Sequence, residues 1–235
     1  MSDQTTIQVN FARPMPLFPL DAVTLLPQQV LPLHIFEPRY RQMVGDVLDA
    51  SGQIAMGVFR GNRWKQEYHG RPPVRPSVCV GQIVQHEKLA DGRYNVLIQG
   101  VCRARIDHEL APRPEVEYRE VSLSPVGVGE TDEGLLAATR DRLEHMLSDG
   151  PLTRLSAASA VAEYARDEEL PTSALLELVS FTMVGDTELR YRLLAEGDAT
   201  ERARLVEREL GHLEGLIRRA DAQRPDLWPK GVSWN

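Results

Sequence analysis

Lysine is nearly missing from this chain. It occurs only at Lys65, Lys88 and Lys230, so almost all of the 27 basic side chains are Arg. The 34 acidic residues outnumber them and leave a formal net charge of −7. That balance argues against a general nucleic-acid binder, which would carry a basic footprint, though it leaves room for a local basic patch. Cysteine is scarce too: Cys79 and Cys102 are the only two. Both fall in expected strands and read as reduced, buried thiols. Neighbouring strands could still bring them together, so a bond stays open. No apolar run reaches the roughly 18 residues that a membrane span needs. The opening MSDQTTIQVN has no basic start and no apolar stretch, so no secretory signal is expected. The expected compartment is the cytoplasm.

Catalytic motifs are lacking as well. No G-x-x-x-x-G-K-[ST] stretch exists to cradle a triphosphate, and no lysine follows any glycine. The six histidines, His34, His69, His86, His108, His145 and His212, are scattered. None forms H-E-x-x-H or joins a Cys cluster, so no metal site is expected. No G-x-S-x-G elbow is present. Glu168-Glu169 reads as solvated charge. The expectation is a protein with no catalytic residues, no cofactor and no metal.

What is present is punctuation. Pro16, Pro19, Pro27 and Pro32 interrupt the apolar stretch from Met15 to Phe36. Each fixes φ and removes a donor, so the strands here must be short or lie at an edge or bulge. Glu37-Pro38 opens a helix, with Pro38 where an N–H would lack a partner anyway. Tyr40, Met43, Val44, Val47 and Leu48 give that helix one apolar face, and Gly52 suits a left-handed stop. Further strands are expected at Ile54–Arg60, Ser77–His86, Tyr94–Gln99, Val101–Leu110 and Glu115–Ser124. Asp91-Gly92 makes a hairpin turn, and Gly100 marks a bulge.

After a Gly-rich linker the pattern turns helical: Thr131–Ser148, Leu155–Ala165, Thr172–Met183, Asp186–Ala195 and a long helix that Asp198 caps. Val206, Leu210, Leu213, Ile217 and Ala220 form a seam along that last helix, which could serve self-association. The fold class is therefore α+β. Residues 12–125 form a β-rich half with one helix, 131–222 form a helical bundle, and 223–235 form a tail holding Trp228 and Trp234. The tail is expected to dock on the chain itself, with a partner surface as the rival reading.

Two blocks carry a resemblance. The first is Leu17-Phe18-Pro19-Leu20 with Leu31-Pro32-Leu33-His34-Ile35-Phe36-Glu37-Pro38-Arg39-Tyr40-Arg41. The second is Val80-Gly81-Gln82-Ile83-Val84, Asp91-Gly92-Arg93-Tyr94 and Gly100-Val101-Cys102-Arg103-Ala104-Arg105-Ile106. In order and separation these resemble the N-terminal, substrate-binding domain of the ATP-dependent Lon proteases. The resemblance covers roughly Met15 to Ala222 and is specific over the first half. It implies a PUA-like β-barrel of six strands, partly closed, ahead of the bundle. It does not bring the Lon motor or the Ser–Lys protease domain, which have no counterpart in these residues. The expectation is a stand-alone form of the domain.

The resemblance thus implies a non-catalytic module that binds protein or peptide clients, recognising unfolded or exposed apolar segments, as an adaptor in protein quality control. A groove at the junction of barrel and bundle is one expected place for an extended peptide. RNA binding through a PUA-like barrel and a small-molecule pocket are the rival readings; the −7 charge weighs against the first. Candidate contacts are Trp64, Tyr68 and Arg71, in a loop that mixes aromatic and cationic groups with Arg63, Lys65, His69 and Arg75. Phe36 and Tyr40 are alternative anchors, although both are expected to face the core. Glu37, Arg39 and Arg41 read as structural: Glu37 is expected to cap the helix and to pair with an Arg such as Arg103.

Overall fold

The computed structural model describes residues 7–61, 63–66, 70–129 and 131–223. The tail from 224 onward lies outside the described residues, and with it the expectation about its two tryptophans. The strands are β1 (Met15–Leu20), β2 (Val30–Ile35), β3 (Gln53–Val58), β4 (Ser77–Lys88), β5 (Tyr94–Glu109) and β6 (Arg119–Pro125). The helices are α1 (Pro38–Leu48), α2 (Ala137–Asp149), α3 (Ser156–Ala165), α4 (Thr172–Met183), α5 (Thr187–Ala195) and α6 (Ala199–Ala222). No described helix is long and apolar enough to cross a membrane. The chain divides into two compact units: Met1–Glu130 with Gly185–Asp198, and Thr131–Val184 with Ala199–Asn235.

The first unit is one mixed sheet in the order β2-β5-β4-β3-β1-β6, and β5 also pairs with β6. That extra pairing joins five strands into a ring and leaves β2 at the end. Only β1 and β3 run parallel. Inward-facing Met15, Leu17, Ala55, Val78, Val80, Ala104, Val121 and Leu123 make one apolar cluster. The prolines of β1 find positions that tolerate them. Met15–Leu17 pairs with β6 and Leu17–Leu20 with β3, so Pro16 and Pro19 each have a partner strand on one edge only.

β5 serves two partners along the same edge. Tyr94–Gln99 pairs with β2, and Ala104–Glu109 pairs with β6. Between them the β4 register slips from Val80↔Cys102 to Gly81↔Gly100, leaving Val101 as the extra residue of a bulge. Gly100 is required there, because a Cβ would lie 2.0 Å from the Leu26 carbonyl oxygen. Cys79 pairs with Arg103 and Cys102 with Val80, so the two thiols point to opposite faces of the sheet. Both are free, which settles the open question of a bond. Burial pushes the Cys102 thiol up to about 11.

α1 buries Tyr40, Met43, Val44 and Val47, and Pro38 stands in its first turn. Gly52 adopts φ +69° and donates to the Val47 carbonyl at 2.8 Å, which ends the helix.

α5 departs from the expected boundary. The sequence places it in the helical part, but it belongs to the sheet unit. The Ser77 N–H donates to Tyr191 Oη at 2.8 Å, and Arg103 Nε donates to the Leu193 carbonyl at 3.0 Å. Two buried strand groups thereby take their partners from α5.

In the second unit α2 packs on α3, α3 on α4, and α4 on α6. Arg140 gathers carbonyls at the end of α3, donating to Ala165 O at 3.1 Å, to Leu170 O at 2.6 Å and to Asp167 O. A cation is favourable at a helix C-terminus. Glu177 and Arg202 meet inside this unit, 3.3 Å apart, at 5% and 7% exposure. The α6 seam is only half covered: Val206 and Leu210 are fully buried, whereas Leu213 and Ile217 are half-buried and Ala220 is exposed.

Candidate binding groove

β2 runs directly into Phe36, the residue before the α1 cap, and there the chain turns from strand to helix. The turn leaves Phe36 61% exposed, while Tyr40, one helical turn on, is buried against Phe18 with ring centroids 4.4 Å apart. The expectation that both aromatics face the core therefore fails for Phe36. The reason is local. Ile35 is the last residue whose backbone pairs with β5, and Pro38 already commits the chain to the helix. Phe36 is left on the outside of the bend.

Phe36 lines two cavities. One, of about 890 Å³, lies between the start of α1 and the 111–118 loop. Pro38, Tyr40, Pro112, Val116 and Tyr118 supply its apolar lining, with Arg39, Arg71 and Arg119 among them. The other, of about 230 Å³, shares Phe36, Glu37 and Tyr40 with it and reaches Phe18, Leu33, Phe59 and Trp64.

The 111–118 wall is a departure from expectation. The sequence reading starts the last strand at Glu115, but β6 begins at Arg119. α1 captures the intervening backbone. Gln42 Nε2 donates to Glu115 O at 2.7 Å, the Glu117 N–H donates to Gln42 Oε1 at 2.8 Å, and Tyr118 Oη donates to Asp46 at 3.0 Å. Burial first, and then the Asp46 bond, raise the Tyr118 phenol above its ordinary value. Nothing in the sequence periodicity marks Gln42, Asp46 or Tyr118 for this role.

The charges around the larger cavity nearly cancel. Arg39 Nη2 stands 3.0 Å from Glu37 Oε2. Arg71 and Arg119 share Glu109, at 2.9 and 2.6 Å. Glu117 offsets the remaining positive charge. Such a lining suits apolar and uncharged polar segments better than a strongly charged ligand.

Each remaining candidate has a definite place. Glu37 occupies the N-cap position of α1, but its side chain makes no cap bond; it turns to Arg39 instead. The expected pairing of Glu37 with Arg103 gives way to this short-range ion pair, and Arg103 donates to Leu193 O on α5. Arg41 Nε donates to Gly92 O in the β4–β5 turn at 2.8 Å. The Trp64 ring stacks on Phe59 at 5.0 Å with 5° between the planes, so it packs on the sheet unit and forms a wall of the smaller cavity. Tyr68, His69 and the side chain of Arg63 lie outside the described residues. No group of His, Cys, Asp and Glu able to hold a metal occurs among the described residues.

β2 adds a second feature beside the groove. Among the described residues it pairs only with β5. Gln28 N and Gly100 N exchange bonds with Gly100 O and Gln29 O. The alternation of antiparallel bonds then assigns Leu31, Leu33 and Ile35 to the ladder, and turns the backbone of Val30, Pro32 and His34 outward. Pro32 removes the middle donor from that open edge.

Residues 14–212 match the family model described as the ATP-dependent protease La (LON) substrate-binding domain. The Lon protease of Desulfosudis oleivorans is 22% identical over 209 residues, 88% of this chain and 25% of that protein. The Lon protease of Desulfovibrio desulfuricans is 25% identical over 198 residues, 83% of this chain and 22% of that protein. The chain thus spans about a quarter of the length of the curated relatives it matches. Among solved structures, the N-terminal domain of Mycobacterium avium complex Lon protease superposes with a TM-score of 0.64 at 18% identity, covering 85% of this chain and 98% of that one. A Lon N-terminal domain protein from Xanthomonas campestris gives 0.56 at 18%, covering 82% and 95%.

Proposed function

Because the chain belongs to the Lon substrate-binding domain family, we propose that it captures substrate polypeptide at the Phe36 groove, and that it selects extended, apolar, unfolded segments. The single observation that carries this reading is Phe36 itself, an aromatic ring 61% exposed that lines two largely apolar cavities. A ring of that size left in water is costly unless something covers it. The near-cancelled charges of the groove favour apolar side chains. The outward backbone of Val30 and His34 offers an incoming strand hydrogen bonds just ahead of the groove. Pro32 limits that pairing to a short stretch and discourages sheet-to-sheet aggregation along the same edge. Capture is the whole of the proposed activity; proteolysis is a property of the full-length relatives.

The test uses a labelled, reduced and carboxymethylated α-lactalbumin as the unfolded probe. Phe36→Ala should weaken its binding several-fold, as expected for loss of an aromatic anchor worth about 1–2 kcal/mol. Trp64→Ala should weaken it less, since that ring already packs on Phe59. Unchanged affinity in Phe36→Ala, with an unchanged circular dichroism spectrum, would remove the groove from the binding site.

A further inference from the structure

Away from the Phe36 groove, three arginines converge on one cavity of the sheet unit. Arg60, Arg75 and Arg105 line a space of about 510 Å³, together with Ser77, Tyr191 and Ala195. The backbone places them there. The Arg60 N–H donates to Pro73 O and the Arg75 N–H to Val58 O, both at 2.8 Å, which holds the end of β3 against the 73–75 segment. Arg105 on β5 stands opposite Ser77 on β4. The Ser77 N–H is bound by Tyr191 Oη, and the Arg75 guanidinium lies 3.3 Å from the centre of the Tyr191 ring.

The charges do not cancel. Glu188 holds Arg75 through two hydrogen bonds, at 2.7 and 2.8 Å. Arg60 and Arg105 have no carboxylate partner among the described residues. Asp107, two residues along β5 from Arg105, has both oxygens within 2.7 Å of the Ser124 hydroxyl. In a chain of net charge −7 this cavity thus keeps two guanidiniums in excess. Its neutral polar groups add donors. Tyr191 is only 6% exposed, and its oxygen already accepts from Ser77, so its own hydrogen is the one it has left to give. The Ser77 hydroxyl is the second such donor.

We propose that this cavity binds a phosphoryl group, with room for the rest of a phosphomonoester. A phosphoryl group carries about −1.5 to −2 charge and three strong acceptor oxygens. That matches two uncompensated guanidiniums and two hydroxyl donors. A single carboxylate would leave one guanidinium unmatched. Arginine's fork suits such an anion because its N–H pairs meet two oxygens at once. The volume exceeds what a free phosphate fills, which favours a phosphorylated side chain over the bare anion.

Calorimetric titration at low salt tests this with four probes: inorganic phosphate, a short phosphoserine peptide, the same peptide with Glu in place of phosphoserine, and a single-stranded oligonucleotide. The phosphoserine peptide should bind, and Arg60→Ser and Arg105→Ser should each weaken it about tenfold, as loss of one charge-assisted pair implies. Both side chains are exposed, so both variants should keep the parent's circular dichroism spectrum. Tighter binding of the peptide than of inorganic phosphate assigns the side chain as the source of the group; equal affinity assigns the free anion. The proposal is overturned if the Glu peptide binds equally well, if the oligonucleotide binds tighter than the phosphopeptide, if neither Arg variant changes the affinity, or if none of the probes binds. None of these results bears on Phe36, so this site and the polypeptide groove stand or fall separately.

Discussion

The sheet unit and the helical unit differ in one ion pair. In the sheet unit the ion pairs lie at the margins, where Glu37–Arg39, Arg71–Glu109–Arg119 and Arg75–Glu188 shape the rims of cavities. The helical unit has exposed pairs too, Arg142–Glu207 and Arg154–Asp221 among them, but it also seals one inside, Glu177 with Arg202. Pairs at a rim gain little Coulomb energy, because water screens them. A sealed pair has already lost its hydration, so removing either member costs far more than at a rim. Among the described residues, only the helical unit thus uses an ion pair to fix an interior.

The largest expected effect lies in the second unit. Glu177→Ala should destabilise by about 3–5 kcal/mol, because it removes the carboxylate that stands 3.3 Å from the buried Arg202 guanidinium. The Glu177→Leu/Arg202→Leu double variant should recover most of that loss. Chemical denaturation measures both; a single variant as stable as the parent would mean that the pair is not buried in solution.

An intermediate effect is expected in the sheet unit, and it comes from shape. Gly100→Ala would drive a methyl group into the Leu26 carbonyl and should cost about 1–3 kcal/mol, in the range of overpacking strain. A neutral substitution there would show that the β5 bulge can slide.

The smallest effect should come from Glu37→Ala. Its ion pair with Arg39, two residues away, is at about one-fifth exposure, and loss of that pair should stay within about 1 kcal/mol. A loss as large as that of Glu177→Ala would erase the distinction between rim and interior.

Much of the sheet unit was legible in the sequence because backbone demands leave signatures. Pro38 and Gly52 bracket α1, Gly100 marks the bulge, and Asp91-Gly92 marks the β4–β5 turn. The candidate site was less legible. Phe36 sits in an apolar run, and periodicity cannot tell a ring at a strand-to-helix bend from one in the core. The Gln42 and Asp46 bonds that pull the 115–118 segment out of the sheet are made across more than 70 positions of sequence. The α6 seam has a regular spacing throughout, yet only its first half is buried, because spacing reports a face and not what covers it.

The placement of α5 has a consequence for dissecting the molecule. The Gly-rich stretch near residue 127 looks like the place to cut, and a fragment ending there would contain every strand of the described residues. It would still be unfinished. The groups that receive the Ser77 N–H and Arg103 Nε arrive with Tyr191 and Leu193, some sixty residues later on the chain. During synthesis the ribosome must therefore release most of the helical unit before the sheet unit receives its last piece, so the two units are interleaved in time as they are along the chain.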